Sequence, residues 1–343
     1  MRDIELVLVT GAGATTEFGR HGAKVPMMAE WSDSLAEKIG TASPSYAEAT
    51  GLVKGLAGAG FEERLDQFLG QARAFSLIGG ILAPSLGFQP GGLPLAERAL
   101  AQWHTRTAAH LSIITDLIRE SLQENFSAER INLEAASGSY ARLLQDLQVG
   151  NTDSLVYATT NYDQAGEYAI ERLGGIPDWG APRRACDGGS PPLRVDRILD
   201  GLPRYVPVLH LRGRVDWFSG RADGTPQDAG PAVRSLWEQF EQALRRARRV
   251  FVLGHSLSDR ALVGSLRRNV SPPERLAVGL LARKDDPGHA DQSAASTMNV
   301  LRDCLPAASM ITVRFGPDPI VSAHGVRTWT DRIRNGSDSS KRG

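Results

Sequence analysis

The stretch Ile4-Glu5-Leu6-Val7-Leu8-Val9-Thr10-Gly11-Ala12-Gly13-Ala14-Thr15 decides the fold. Its first seven residues have the length and side chains of a strand buried on both faces. The run stops at Gly11-Ala12-Gly13, where glycines allow the backbone a close approach to a neighbour or a phosphate. Similar strand signals return at 154–159, 206–211, 250–253, 276–281 and 310–313. Helical stretches separate most of them, notably 164–173, 232–248 and 258–268. Strands alternating with helices predict an α/β fold, a Rossmann-like parallel sheet flanked by helices.

Between 32 and 150 the pattern turns helical, a large helical insertion after the first strand. Leu100, Trp103, Thr107, Leu111, Ile114 and Ile118 fall on one face of a long amphipathic helix. Tyr140, Leu143, Leu144 and Leu147 do the same for a shorter one. The expected organisation is a single domain over 1–343. Its Rossmann-like core comprises 1–31 and 151–332, with the helical insertion at 32–150 and a disordered tail at 333–343. Segments 174–205 and 218–231, dense in Gly, Pro, Asp and Arg, read as loops over a binding face.

The 343 residues carry 39 Lys+Arg against 39 Asp+Glu, a net charge of zero. That balance offers no long-range attraction to nucleic acid or to an anionic membrane, so neither is an expected partner. The basic run Arg245, Arg246, Arg248, Arg249 suits a helix end, where cations complement the macrodipole. Cys186 and Cys304 are far apart with no CxxC pair. That pattern excludes a four-cysteine zinc site and argues against a disulfide framework. With no apolar run of about 18 residues and no signal-peptide shape, a cytoplasmic protein is expected.

Four groups of residues close strands, which is where open parallel sheets bind ligands. Gly11, Ala12, Gly13, Ala14 and Thr15 follow the first strand, and amides there can meet a pyrophosphate. Thr16 stands where GxGxxG has its third glycine, so an ordinary glycine turn explains them equally well. In Thr159-Thr160-Asn161-Tyr162-Asp163 an amide and a carboxylate lie two residues apart. They can hold a ribose hydroxyl and a carboxamide, or cap the helix that follows. His210 and Arg212 face one side of a strand, a base beside a fixed cation. A buried histidine with an ion-paired arginine is the plainer alternative. In Gly254-His255-Ser256-Leu257-Ser258-Asp259, Ser258 or Asp259 is a ready helix cap, and Ser256 can meet a phosphate or ribose.

In this order, the four groups resemble the sirtuin-like NAD-binding family. The likeness is to its bacterial antiphage-defence branch more than to the protein deacylases. Gly11 to Gly13 with Pro26 resembles the family's opening phosphate loop, and Phe61-Glu62-Glu63 resembles a recurring feature of the bacterial branch. Thr160-Asn161-Tyr162-Asp163 is similar to the TxNxD-type motif, whose Asn and Asp meet ribose and nicotinamide. Gly254 to Asp259 is similar to a G-aromatic-S-x-S-D segment on the adenosine side. The resemblance covers the ends and the second half of the chain.

What the resemblance implies is cleavage of the nicotinamide–ribose bond of NAD to nicotinamide and ADP-ribose. It implies no zinc, since the cysteines of the deacylases' zinc module are missing. The family's L-H-G reads Leu211-Arg212-Gly213 here. Arg212 thus stands in the catalytic histidine's place and, with a pKa above ~12, cannot act as a general base. Three accounts follow. His210 substitutes as base; or Asn161 alone positions water while Arg212 grips a phosphate; or NAD or ADP-ribose is bound without cleavage, by a sensor or scaffold subunit. Unrestrained NAD loss would kill a cell, so a homo-oligomer or a regulatory partner at the helical insertion would gate any activity. An oxidoreductase is disfavoured by the missing third glycine and by the lack of an acidic residue about 20 residues further on.

Overall fold

A computed structural model describes residues 4–22, 24–26, 30–31, 33–35, 37–38, 116–118, 120–149, 155–178, 205–212, 231–257, 259–281, 294–316 and 324–339. Its strands are β1 (Ile4–Thr10), β2 (Leu155–Thr159), β3 (Ile176–Asp178), β4 (Tyr205–His210), β5 (Ala247–Leu253), β6 (Leu276–Leu281) and β7 (Ser309–Val313). They form one sheet in the order β3-β4-β2-β1-β5-β6-β7, and every pairing is parallel. Helices α1 (Leu133–Asp146), α2 (Ala165–Arg172), α3 (Pro231–Arg246), α4 (Arg260–Asn269), α5 (Ala294–Cys304) and α6 (His324–Ser339) flank it. This is the α/β, Rossmann-like fold expected from the strand–helix alternation.

Burial explains the strand pattern. All seven residues of β1 and all five of β2 are buried, as covered parallel strands require. The edge strands β3 and β7 are short and part-exposed, which limits pairing with other chains. Pro207 of β4 lies before that strand's pairing with β2 begins at Val208, so its missing N–H interrupts no ladder there.

Several boundaries differ from the sequence expectations. β5 begins at Ala247 and α3 ends at Arg246, so only Arg245 and Arg246 of the basic run close a helix. Arg249 is instead fully buried within the strand. It pairs with Glu5 of β1 at 3.1 Å and donates to the Leu147 carbonyl at 2.5 Å. The tail expected to be disordered from 333 continues α6 to Ser339. Local composition hid its anchors: Arg334 donates to the Gln148 carbonyl at 2.7 Å, and Arg327 holds Asp146 at 2.6 Å. β3, with Pro177 among its three residues, lies inside the segment 174–205 expected to be loop.

The chain divides into two compact units, Met1–Met27, Asn125–Trp217 and Pro231–Gly343 in one, Met28–Glu124 and Phe218–Gly230 in the other. The helix of Tyr140 and Leu147, expected in the insertion, therefore belongs with the sheet. Tyr140 stacks edge-on against Tyr157 of β2 at 6.3 Å and Phe315 at 5.0 Å. Most of the insertion lies outside the described residues, including 41–115 with Phe61-Glu62-Glu63. Within the second unit, Trp31 donates to Ser121 Oγ at 2.9 Å and Lys38 pairs with Glu124 at 2.9 Å. Among the described residues no helix is long and apolar enough to cross a membrane.

α2 crosses β2 at a residue that must be small. A β-carbon on Gly166 would lie 2.2 Å from Tyr157 Cζ and 2.4 Å from its hydroxyl oxygen. That ring is held by Thr10 Oγ1 at 2.7 Å. An alanine inside a helix ordinarily stabilises by up to about 1 kcal/mol relative to glycine. Gly166→Ala is expected to do the reverse, destabilising by about 1–3 kcal/mol through overpacking. Urea titration checks the sign; an unchanged or raised midpoint would refute the packing account.

Candidate functional site

The candidate residues sit at the C-terminal ends of four adjacent strands, β4, β2, β1 and β5. The loop after β1 is built against the loop after β5. Gly11 N–H donates to the Leu253 carbonyl at 3.0 Å, and Gly13 N–H to the Gly254 carbonyl at 2.9 Å. A β-carbon on Gly11 would lie 2.8 Å from Gly254 O and from His255 Cα. Gly254 itself has φ +64°, and a β-carbon there would lie 2.2 Å from Ala14 N. The glycines thus serve loop-to-loop contact.

Three short 3-10 turns follow β1 (Ala12–Ala14, Thr16–Phe18 and Arg20–Gly22) where an α-helix would give a row of open amides. The amides of Ala14 and Thr15 donate to the carbonyls of Gly11 and Ala12. With Gly13 they form three of the amides offered to a pyrophosphate by the sequence, and each is occupied by a carbonyl of the protein itself.

Asn161 is the centre of the arrangement. Its side-chain N–H groups donate to the Gly11 carbonyl at 3.1 Å and to Thr15 Oγ1 at 3.0 Å. A carbonyl only accepts, so this contact fixes which way the amide faces. The Asn161 Oδ1 that remains is buried and meets no donor among the described residues. Thr15 Oγ1 in turn donates to Asp163 Oδ2 at 2.9 Å, while Asp163 Oδ1 accepts from Ala165 N–H at 2.9 Å. Burial raises the Asp163 carboxyl above its ordinary value, against the lowering effect of those hydrogen bonds. Asp163 therefore works partly as the helix-start residue that its alternative reading required.

His210 is 1% exposed, and both ring nitrogens face the protein. Nε2 lies 2.5 Å from Glu167 Oε1, and Nδ1 lies 3.4 Å from the Asn161 carbonyl. Arg212, 5% exposed, donates from Nε and Nη2 to Asp259 Oδ2 at 3.2 and 2.8 Å. This ion pair joins the end of β4 to the start of α4 beyond β5, across the two strands between them. Asp259 Oδ1 caps α4 through Ala261 and Leu262 N–H at 2.9 and 3.0 Å. Burial alone would raise the Asp259 carboxyl, but the Arg212 guanidinium and the cap bonds hold it below the ordinary carboxylate range.

Towards solvent, Ser256 is exposed and Ala12, Gly13, Gly254 and His255 are half-buried. Leu257 N–H donates to His255 Nδ1 at 2.9 Å, which leaves the ring proton on Nε2. Ser258 and 213–217 lie outside the described residues. Glu167, in the first turn of α2, is a residue that the strand-end motifs do not single out. Its spacing held the signal: one helical turn past Asp163, a side chain leans back over the strand end. Comparison with known protein families and with curated proteins finds no match to this chain.

Packing around the His255 ring, although it is partly accessible, pushes its value down from 6.5 to about 4, with Asp259 opposing and Arg212 adding to the shift. A histidine depressed in the folded state leaves the unfolded chain binding more protons. Its stabilising contribution is complete above about pH 6.5 and is lost as pH falls towards about 4. His255→Asn keeps an acceptor for Leu257 N–H but cannot titrate. Urea midpoints at pH 7 and pH 4.5 are expected to fall further for the wild type than for His255→Asn; parallel falls would refute the assignment.

Proposed function

We propose that this chain is an NAD glycohydrolase whose site is the C-terminal edge of β4, β2, β1 and β5. The observation that carries the reading is Asn161 Oδ1, a buried acceptor with its amide clamped and its oxygen unmet among the described residues at the centre of that edge. A buried polar atom left without a partner costs stability, and each such exception calls for an explanation. A ribose hydroxyl or an attacking water supplies the missing donor.

The reaction asks little of a base. The bond between ribose C1′ and the pyridinium nitrogen breaks, its electron pair goes to nitrogen, and nicotinamide leaves neutral. The oxocarbenium ion that remains accepts a water oxygen at C1′, and the surplus proton passes to solvent. Asn161 holds the ribose or the water; Asp163 braces Thr15 and the start of α2. Ser256 and His255 face the adenosine half of the ligand, and no zinc takes part. His210, with both nitrogens turned inward, is not proposed as the base. A general base contributes about 10²–10⁴-fold, so slow hydrolysis without one is the expectation. The reading carries with it a cytoplasmic protein, and antiphage defence gated by self-association or a partner at the helical insertion.

One observation favours the second reading, a catalytically silent subunit that binds NAD or ADP-ribose. Arg212, in the place of the resembled family's histidine, is held by Asp259 in a buried ion pair. Purified protein incubated with NAD and analysed by chromatography separates the two. Nicotinamide and ADP-ribose are expected from wild type, reduced about 10²-fold or more in Asn161→Ala. Products from Arg212→His alone would establish the silent subunit. Silence from all three, with no NAD or ADP-ribose binding by calorimetry, would overturn both readings.

A further inference from the structure

Four contacts converge on Asn161. Two clamp its amide, at the Gly11 carbonyl and Thr15 Oγ1. Its main-chain N–H donates to Thr159 Oγ1 at 3.0 Å. Its main-chain carbonyl faces His210 Nδ1 at 3.4 Å, and His210 is held from its far side by Glu167. Glu167 stands one contact removed from Asn161, and it holds the ring that faces the main chain at the centre of the site.

Donor and acceptor chemistry determines what this pair holds. A carbonyl only accepts, so a hydrogen bond from Nδ1 to Asn161 needs the hydrogen on Nδ1. Between Nε2 and Glu167 Oε1, 2.5 Å apart, lies a second proton. The two side chains are only 1% and 5% exposed, where an uncompensated charge would be costly. A ring with Nδ1 protonated and Nε2 committed to Glu167 has no lone pair to offer a substrate.

We propose that Glu167 is a positioning residue: through His210 it fixes the Asn161 main chain, and with it the direction of the Asn161 side-chain oxygen. The proposal rests on the NAD reading of the site for its effect on turnover, but not for the arrangement itself. Glutamine at 167 can donate an N–H to Nε2 and so keep Nδ1–H on the Asn161 carbonyl. Leucine cannot.

The test uses the full chain as wild type, Glu167→Gln and Glu167→Leu, with NAD turnover and ¹⁵N NMR of the His210 ring and the Asn161 side-chain amide. Wild type is expected to show Nδ1 protonated and a far-downfield shared proton. Glu167→Gln should keep Nδ1–H and turn over NAD within a few-fold of wild type. Glu167→Leu should lose about 10²-fold in kcat with KM little changed, as misplacement of a reacting group does, and should move the Asn161 amide resonances. An unprotonated Nδ1 in wild type would overturn the proposal whatever the activity. So would a folded Glu167→Leu with unmoved Asn161 resonances or wild-type kcat. A wild type inert towards NAD would instead count against the nucleotide reading, and the resonances would still decide the placement.

Discussion

The loops that end β1 and β5 approach each other so closely that no β-carbon fits at Gly11 or Gly254. Much of the carboxyl edge depends on this contact. With Gly13 bonded to the Gly254 carbonyl, the chain after β1 folds into tight turns instead of entering a helix. Those turns bring Thr15 over β2, where its hydroxyl links Asn161 to Asp163. A larger residue at either glycine would part the loops and withdraw Thr15 from both. The glycines act on the candidate site from one step away, by setting where a hydroxyl stands.

Charge placement follows a second constraint. Arg212 with Asp259 and His210 with Glu167 are almost wholly withdrawn from solvent, and each member has its partner within hydrogen-bonding distance. Such pairs add little net stability, but breaking one by removing a partner costs about 3–5 kcal/mol. They therefore specify geometry more than they stabilise the fold. A similar arrangement holds the opposite end of the sheet, where Glu5 receives Arg249 at 3.1 Å and Arg334 at 3.6 Å. Polar residues on β1 and β5 thus lock the register that their apolar neighbours leave open to slippage.

Strands such as β1 and β6 were legible because they are continuous apolar runs bounded by turn residues. β3 was not: three residues with a central proline carry no period, and its place is set by pairing with β4. The start of β5 was hidden because Arg248-Arg249 after a helix imitates a basic helix end. Only the distant Glu5 reveals why an arginine belongs inside the sheet. The last turns of α6 were hidden for the same reason, since Gln148, the anchor of Arg334, lies far back in the chain. At the candidate site, residue identities were legible and partnerships were not. Asn161, Asp163, His210, Arg212 and Asp259 could be picked out as strand-end polar residues. That Arg212 would be spent on Asp259, and His210 on Glu167, depends on distances across the sheet that no local pattern contains.

The strand order has a consequence for synthesis. β1 is made before β2 and β5 and lies between them, with Leu6 opposite both Leu155 and Arg249. Its second neighbour thus leaves the ribosome about 240 residues after it. At about 5–20 residues per second, that leaves an apolar strand with an open edge for some tens of seconds. Of these strands β1 is therefore the one longest exposed to aggregation during synthesis, and a holding chaperone that binds short apolar segments would find its natural target in Ile4–Thr10.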